Sequence, residues 1–296
     1  KSPVLSILFL LISVTLLAVP NDFRFRHFSV EDGLSSNSVR AIMQDKYGFL
    51  WIGTEEGLNR YDGIMIKSYS ICPQAAGKYI SSLYGTKKNI WIGTDEGIYI
   101  YAYATETFTY FDLTTPNNVR ITSIVNHILQ DKDGNLWFST NGQGLFRYNL
   151  SKNYLEQYEF TSAFGIVAST MADSDNQIWA LTNQGESGVY KLNKAENKFE
   201  PFGLLYNAGN HHSQALAMLE DSEQTLWLGT WECGLQKIDK YTRQTTTYLH
   251  PTDGKGVTHI HSLMEYAPHQ LLIGSDDGLL LFNTLTEEYK LFTENE

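Results

Sequence analysis

The sequence predicts an all-β fold, a β-propeller of four-stranded antiparallel blades. Three observations carry that prediction. A phrase of the form Trp51-Ile-Gly-Thr-Glu-Glu-Gly57 recurs at positions 91, 137, 179, 227 and 272, in steps of 40, 46, 42, 48 and 45 residues, with Leu272 replacing the tryptophan in the sixth copy. Each unit contains four short apolar runs separated by Gly/Asp turns, the pattern of an antiparallel meander. No segment inside the repeats carries a long 3.6-residue apolar period, so helix is disfavoured. Four strands in a period of about 40–50 residues is the propeller signature.

In the first unit the strands fall at 38–44, 49–54, 58–61 and 64–69, joined by turns at Asp45–Gly48, Glu55–Gly57 and Asp62–Gly63. Leu50, Trp51 and Ile52 are consecutive and apolar. A strand reads this way when both faces of its sheet are covered. Sheets set radially around an axis meet that condition, with each indole burying ~200 Å² between neighbours. Gly53, Gly93 and Gly229 leave room for a neighbour's side chain, and the glycines at 57, 97, 144, 188, 234 and 278 supply positive φ at the turn into the third strand. Fourth strands are expected at 64–69, 106–111, 154–160, 198–202, 244–249 and 287–292.

One strand-like segment, 23–30, has no unit of its own and resembles the fourth strands. The chain is therefore expected to hold six blades plus the N-terminal outer strand of a seventh, whose other strands lie beyond Glu296. The alternative is a closed six-bladed ring with 23–30 strapped on. Residues 4–19 are uncharged and mostly Leu, Ile and Val. That length is short for a spanning helix and ordinary for a secretory segment. Residues 1–20 are expected to be a signal peptide or N-terminal anchor, and 21–296 an exported propeller.

A net charge of −11 argues against binding a polyanion through phosphate neutralisation. Cys72 and Cys233 belong to the first and fifth units, too far apart for a disulfide. Their spacing is not that of a metal site, and no metal or cofactor is expected.

The stretch from Phe28 to Tyr69, with Glu31-Asp-Gly33-Leu, Gln44-Asp-Lys-Tyr-Gly48 and Trp51-Ile-Gly-Thr-Glu-Glu-Gly57-Leu, resembles the opening repeat of the two-component regulator propeller family. Asp131-Lys-Asp-Gly-Asn-Leu-Trp137 and Asp221-Ser-Glu-Gln-Thr-Leu-Trp227 resemble its internal repeats. The resemblance covers 23–296, with departures at Trp179-Ala-Leu-Thr and at Leu272. It implies the periplasmic sensor region of a hybrid two-component sensor kinase, followed by a second propeller, a membrane span and a histidine kinase. It further implies an oligosaccharide ligand, a homodimeric receptor and no direct nucleic acid contact by this region.

Within each blade, the turn between strands two and three shares a face with the link to the next blade. Loops of unequal length collect there, which is where binding residues usually lie. Trp231 is the sharpest ligand-binding candidate, because it replaces the acidic or amide residue found at most equivalent turns. Arg40 and Arg120, near the starts of inner strands, suit an acidic sugar, with a structural salt bridge as the alternative. Asn141 lies on the same rim. His211 and His259 are candidates beside His212 and His261; residues two apart on a strand share a face, so His259 and His261 are placed to converge. No catalytic residues are assigned: the carboxylate pairs recur from blade to blade, and no nucleophile elbow or zinc-protease pattern is present. The competing functions are a protein-interaction scaffold and an exported glycan-cleaving enzyme.

Overall fold

The protein is described from a computed structural model covering residues 23–71, 78–160, 165–182, 188–203, 205–206, 214–249 and 257–292. Six antiparallel meanders follow one another. Blade 1 comprises β1 (Val39–Gln44), β2 (Leu50–Thr54), β3 (Gly57–Tyr61) and β4 (Ile66–Tyr69). Blade 2 comprises β5 (Ile80–Gly85), β6 (Asn89–Thr94), β7 (Gly97–Ala102) and β8 (Thr107–Tyr110). Blade 3 comprises β9 (Val125–Gln130), β10 (Leu136–Thr140), β11 (Leu145–Asn149) and β12 (Tyr154–Tyr158). Blade 4 comprises β13 (Val167–Ala172), β14 (Ile178–Thr182), β15 (Val189–Asn193) and β16 (Lys198–Pro201). The short β17 (Leu205–Tyr206) runs parallel to the outer strand of blade 5. That blade comprises β18 (Ala215–Glu220), β19 (Leu226–Thr230), β20 (Leu235–Ile238) and β21 (Gln244–Tyr248). Blade 6 comprises β22 (Ile260–Ala267), β23 (Gln270–Ser275), β24 (Gly278–Asn283) and β25 (Tyr289–Phe292). No helix among the described residues is long and apolar enough to cross a membrane. Residues 1–20 and Cys72 lie outside the described residues.

The inner strands pack in succession, β1 on β5, β5 on β9, β9 on β13, β13 on β18 and β18 on β22. Each indole fills the space in front of the next blade. Trp91 packs with Ile128, Phe138 and Phe146 of blade 3, and Trp227 with Ile260, Ile273 and Phe282 of blade 6. The five repeat tryptophans are at most 3% exposed. The glycine two residues after the indole is needed for this approach: a Cβ on Gly53 would lie 2.5 Å from Ile80 Cγ2, and one on Gly229 2.5 Å from Ile260 Cγ2.

A buried polar ladder runs through the same interfaces. The Nε1 of Trp51, Trp137, Trp179 and Trp227 donates to Asp45, Asp131, Asp173 and Asp221 at 2.7, 2.8, 3.0 and 2.8 Å. Each carboxylate also accepts amides of its own first turn, as Asp45 does from Tyr47 and Phe49. Asp45, Asp131 and Asp173 are buried. These repeated acids are turn formers whose carboxylates are not solvated: a buried indole N–H needs an acceptor, and the turn carboxylate supplies it.

Blade 2 departs. Its first hairpin is closed by Thr86, whose hydroxyl takes the amides of Lys88 and Asn89, and the Trp91 Nε1 has no partner among the described residues. Trp91→Phe therefore breaks no hydrogen bond. Trp137→Phe removes one of the buried bonds that the Asp131 carboxylate accepts and should cost about 1–2 kcal/mol more in denaturant titrations.

The junction between blades 6 and 1 differs from the others. Ile80, Val125, Val167, Ala215 and Ile260 open their inner strands fully buried, whereas Val39 is 46% exposed. Ile42 of β1 and Met264 and Tyr266 of β22 are also exposed. Among the described residues, no contact of comparable extent joins β22 to β1. Residues 23–29 are not paired in any of the six sheets, and Val30–Asp32 is a single 3-10 turn. Their side chains alternate between the flanking blades. Phe23 and Phe25 pack on Phe292 of blade 6, with ring centroids 5.0 and 5.4 Å apart. Arg26 donates to the Tyr61 hydroxyl of blade 1, and Phe28 packs on the Tyr61 ring at 4.8 Å.

Candidate functional site

The meander order places the turn between strands two and three on the same face as the links between blades. These turns share one construction. The last residue of the second strand is Thr or Ser, and its hydroxyl donates back across the turn: Thr54 to the Gly57 carbonyl, Thr94 to Gly97, Thr140 to Gly144, Thr230 to Gly234 and Ser275 to Gly278, at 2.7–3.1 Å. Gly234 takes φ +66°, a region closed to most side chains. In blade 5 this frame presents Trp231 at its tip, 38% exposed.

The link into blade 6 closes over that turn. The Trp231 amide donates to the Gln214 carbonyl, and the His259 amide donates to the Trp231 carbonyl at 3.1 Å. His259 sits at φ +46°, an uncommon conformation for a non-glycine residue. Its imidazole stacks on the indole, with centroids 3.8 Å apart and planes 25° apart. Ile260 pairs with Ser275 across β22 and β23, which brings His259 and His261 beside Asp276. His261 Nε2 lies 2.7 Å from Asp276 Oδ1, and His259 Nδ1 bonds Asp276 Oδ2. Bonds from His259 and then His261 hold the Asp276 carboxyl below the usual carboxylate range. Asp277 takes the Thr258 amide at 2.7 Å and its hydroxyl at 3.0 Å, locking the link in place.

The result is a braced, half-exposed cluster of one indole, two imidazoles and one carboxylate at the rim between blades 5 and 6. It offers an apolar aromatic surface beside polar atoms, the composition that a sugar ring requires. No group of three or more metal-ligating side chains forms among the described residues.

The other candidates do not join it. Arg40 Nε donates to Glu55 Oε1 at 3.0 Å within blade 1, and Arg120 Nη2 meets Asp112 Oδ1 at 2.8 Å in the link after blade 2. Both are exposed salt bridges, one tying strand β1 to the turn after β2 and the other joining two points of a single link, which is the structural alternative for these residues. Asn141 uses its amide on the Ile124 carbonyl, with its bridge to Ile166 at the rim of blade 3. His211 lies outside the described residues. Asp276 was legible only as one more turn acid. Nothing in its local sequence separates it from Asp95, and the His259/His261 spacing was the one available signal. The larger described cavities, about 570 and 540 Å³, open on the opposite face and share Lys240 and Tyr241.

The two component regulator propeller family model matches residues 33–56 and 119–142, in the first unit and in the link and inner strands of the third. A 68-residue stretch, 23% of the chain, is 46% identical to histidine kinase P4 of Formosa agariphila, and spans 5% of that protein. The extracellular domain of hybrid two component system BT3049 from B. thetaiotaomicron superposes with a TM-score of 0.75 at 24% identity, over 92% of this chain and 37% of that one. A virginiamycin B lyase from Staphylococcus aureus superposes with a TM-score of 0.67 at 15% identity, over 86% of this chain and 83% of that one. The fold is thus shared by the extracellular domain of a two component system and by a lyase, and a fold by itself selects neither function. The chain spans a small part of the kinase relative and about a third of that extracellular domain.

Proposed function

We propose that this chain, a β-propeller built on two-component regulator propeller repeats, is the ligand-sensing part of an exported hybrid two-component receptor. An oligosaccharide would dock at the Trp231 cluster. The observation that carries the site is the break in the repeat at the link face: an exposed indole braced by His259, at a turn where blades 1 and 2 have Glu55 and Asp95. An indole face packs against sugar C–H groups, while His261 and Asp276 offer hydrogen bonds to hydroxyls. The kinase and membrane span of such a receptor would lie elsewhere in the protein, and the exposed face between blades 6 and 1 would receive a seventh blade whose outer strand is 23–29.

Sensing requires that the ligand prefer one arrangement of domains or subunits, since equal affinity for both arrangements transmits nothing. A site on the link face, where further domains of a receptor can meet the propeller, suits that requirement. A shift in dimer geometry passed to the kinase is the expected signal.

The complete exported region should bind at least one member of a broad oligosaccharide panel by calorimetry. Trp231→Ala should weaken that binding about tenfold to thirtyfold, the usual effect of losing a central aromatic contact. A panel that yields no heat, or an affinity indifferent to Trp231, would remove this reading in favour of a scaffold that recognises protein.

A further inference from the structure

On the opposite face, between blades 1 and 2, a cavity of about 220 Å³ is walled by Tyr47, Phe49, Tyr101 and Tyr103, with Arg60 and Glu106 also lining it. The Arg60 guanidinium lies 4.4 Å above the Phe49 ring and 5.4 Å from the Tyr69 ring. Two buried polar atoms without a partner among the described residues belong to this lining, the Arg60 Nε and the Tyr103 hydroxyl. Orphaned buried donors are uncommon in folded proteins and call for an explanation.

The comparison with blade 3 supplies one. Arg147 occupies the same place on the third strand as Arg60 and also lies over its blade's indole, 5.6 Å from the Trp137 ring. Arg147 pairs across the ladder with Glu156 and forms a salt bridge to it. In blade 4, Lys191 likewise faces Glu200. Arg60 instead faces Lys67, and it forms no ion pair among the described residues. The Asp62 carboxylate is held by the Ile64 and Met65 amides, and Asp45 by the Trp51 indole and its turn. The Lys46 ammonium adds positive charge at the rim, 4.6 Å from the Tyr103 ring. A protein of net charge −11 has here a half-buried guanidinium beside two lysines, with aromatic walls and no acid of its own paired to it.

We propose that this cavity binds a single carboxylated ring, of the size and chemistry of a hexuronate. The carboxylate would accept from the Arg60 Nε–H, the Tyr103 hydroxyl would meet a ring hydroxyl, and the aromatic walls would take the C–H faces. Drug-sized ligands need about 300–1,000 Å³, so this cavity suits one ring rather than a chain. Asp45 and Glu106 at the lining disfavour a doubly charged phosphate. The site is independent of the Trp231 cluster, which lies on the other face between other blades.

Calorimetry on the whole chain tests it with glucuronate as the probe, glucose as the neutral ring and acetate as the bare carboxylate. Glucuronate should bind with a Kd of about 1 mM or tighter, and the other two at least tenfold more weakly. Tyr103→Phe and Arg60→Met should each weaken glucuronate binding, the second by about tenfold or more. Lys67→Glu gives Arg60 the acid that Arg147 already has. It should abolish glucuronate binding while leaving the melting temperature unchanged or higher, an outcome that a merely structural Arg60 would not produce. Failure of glucuronate to bind, equal binding of glucose, or unchanged affinity in Lys67→Glu would each overturn the proposal.

Discussion

Asp131→Ala should destabilise the protein by about 3–5 kcal/mol, lowering the melting temperature by about 10 °C. The carboxylate accepts three hydrogen bonds from groups with no alternative partner: the Trp137 Nε1 at 2.8 Å, the Asn135 amide at 2.8 Å and the Asn135 Nδ2 at 2.9 Å. Asp131 and Trp137 are both buried, so no water replaces what is lost. A buried donor left unsatisfied costs about 1–3 kcal/mol, and the small cavity adds to that. Asp131→Asn separates charge from shape. It keeps one acceptor oxygen and presents an N–H₂ to one of the donors, so it should fall between wild type and alanine. Thermal melts of the three proteins, with a Trp137 variant to complete a double-mutant cycle, measure the coupling. A loss under 1 kcal/mol for Asp131→Ala would mean that the ladder is not what braces the blades.

The second large effect is on pH. His127, on the inner strand of blade 3, packs against β13 of blade 4. Its Nδ1 lies 3.4 Å from both the Thr170 amide and the Thr170 hydroxyl. Burial pushes the imidazole down to about 4. Desolvation penalises the charged ring, and the amide that donates to Nδ1 favours the neutral one. The unfolded chain has no such restriction and takes up the proton near pH 6.5. The unfolded state therefore binds more protons than the folded state between about pH 6.5 and 4, and stability falls as pH is lowered through that window. No further loss from this residue is expected below about 4. The contribution is about 2–3 kcal/mol, and it should vanish in His127→Gln, which stays neutral. Urea titrations of the two proteins at pH 7 and pH 4.5 isolate it from the many carboxylates common to both. Parallel stability curves would show that the ring titrates in the folded state as freely as in the unfolded one.

Both effects arise from residues that the repeat placed but did not explain. The 40–48-residue period, the glycine two residues after Trp51, Trp91 and Trp227, and the Gly/Asp turns were enough to give six meanders. All six fourth strands begin within two residues of their expected starts, the first and last each two residues late. Such features are legible because each is a local requirement repeated in every unit: positive φ at Gly144, or the lack of a Cβ at Gly53, where Ile80 closes in. The Asp-to-indole bond was also present as a six-residue spacing in four units, but spacing does not tell a buried acceptor from a solvated turn acid.

The candidate site was legible only in part. Trp231 stood out by breaking the repeat, and the two-residue spacing of His259 and His261 indicated convergence. Their common partner, Asp276, lies in another turn of blade 6 and looks locally like every other turn acid. Arg40 and Arg120 offered a guanidinium for an acidic sugar or for a structural salt bridge, and each is occupied by an acid close to it in the fold.

What this sequence determined by itself is the blade, its order of strands and the indole seam, because short-range sterics and the burial of a flat apolar ring act within one repeat and its successor. Which polar side chains meet, within a blade or across two, was decided only by the folded structure. Asp276 between two imidazoles, Arg60 opposite a lysine instead of an acid, and His127 kept neutral against Thr170 depend on register and on the angle between adjacent sheets. A charge is free to pair with any opposite charge that the fold brings near, and that freedom is resolved only when the chain is closed upon itself.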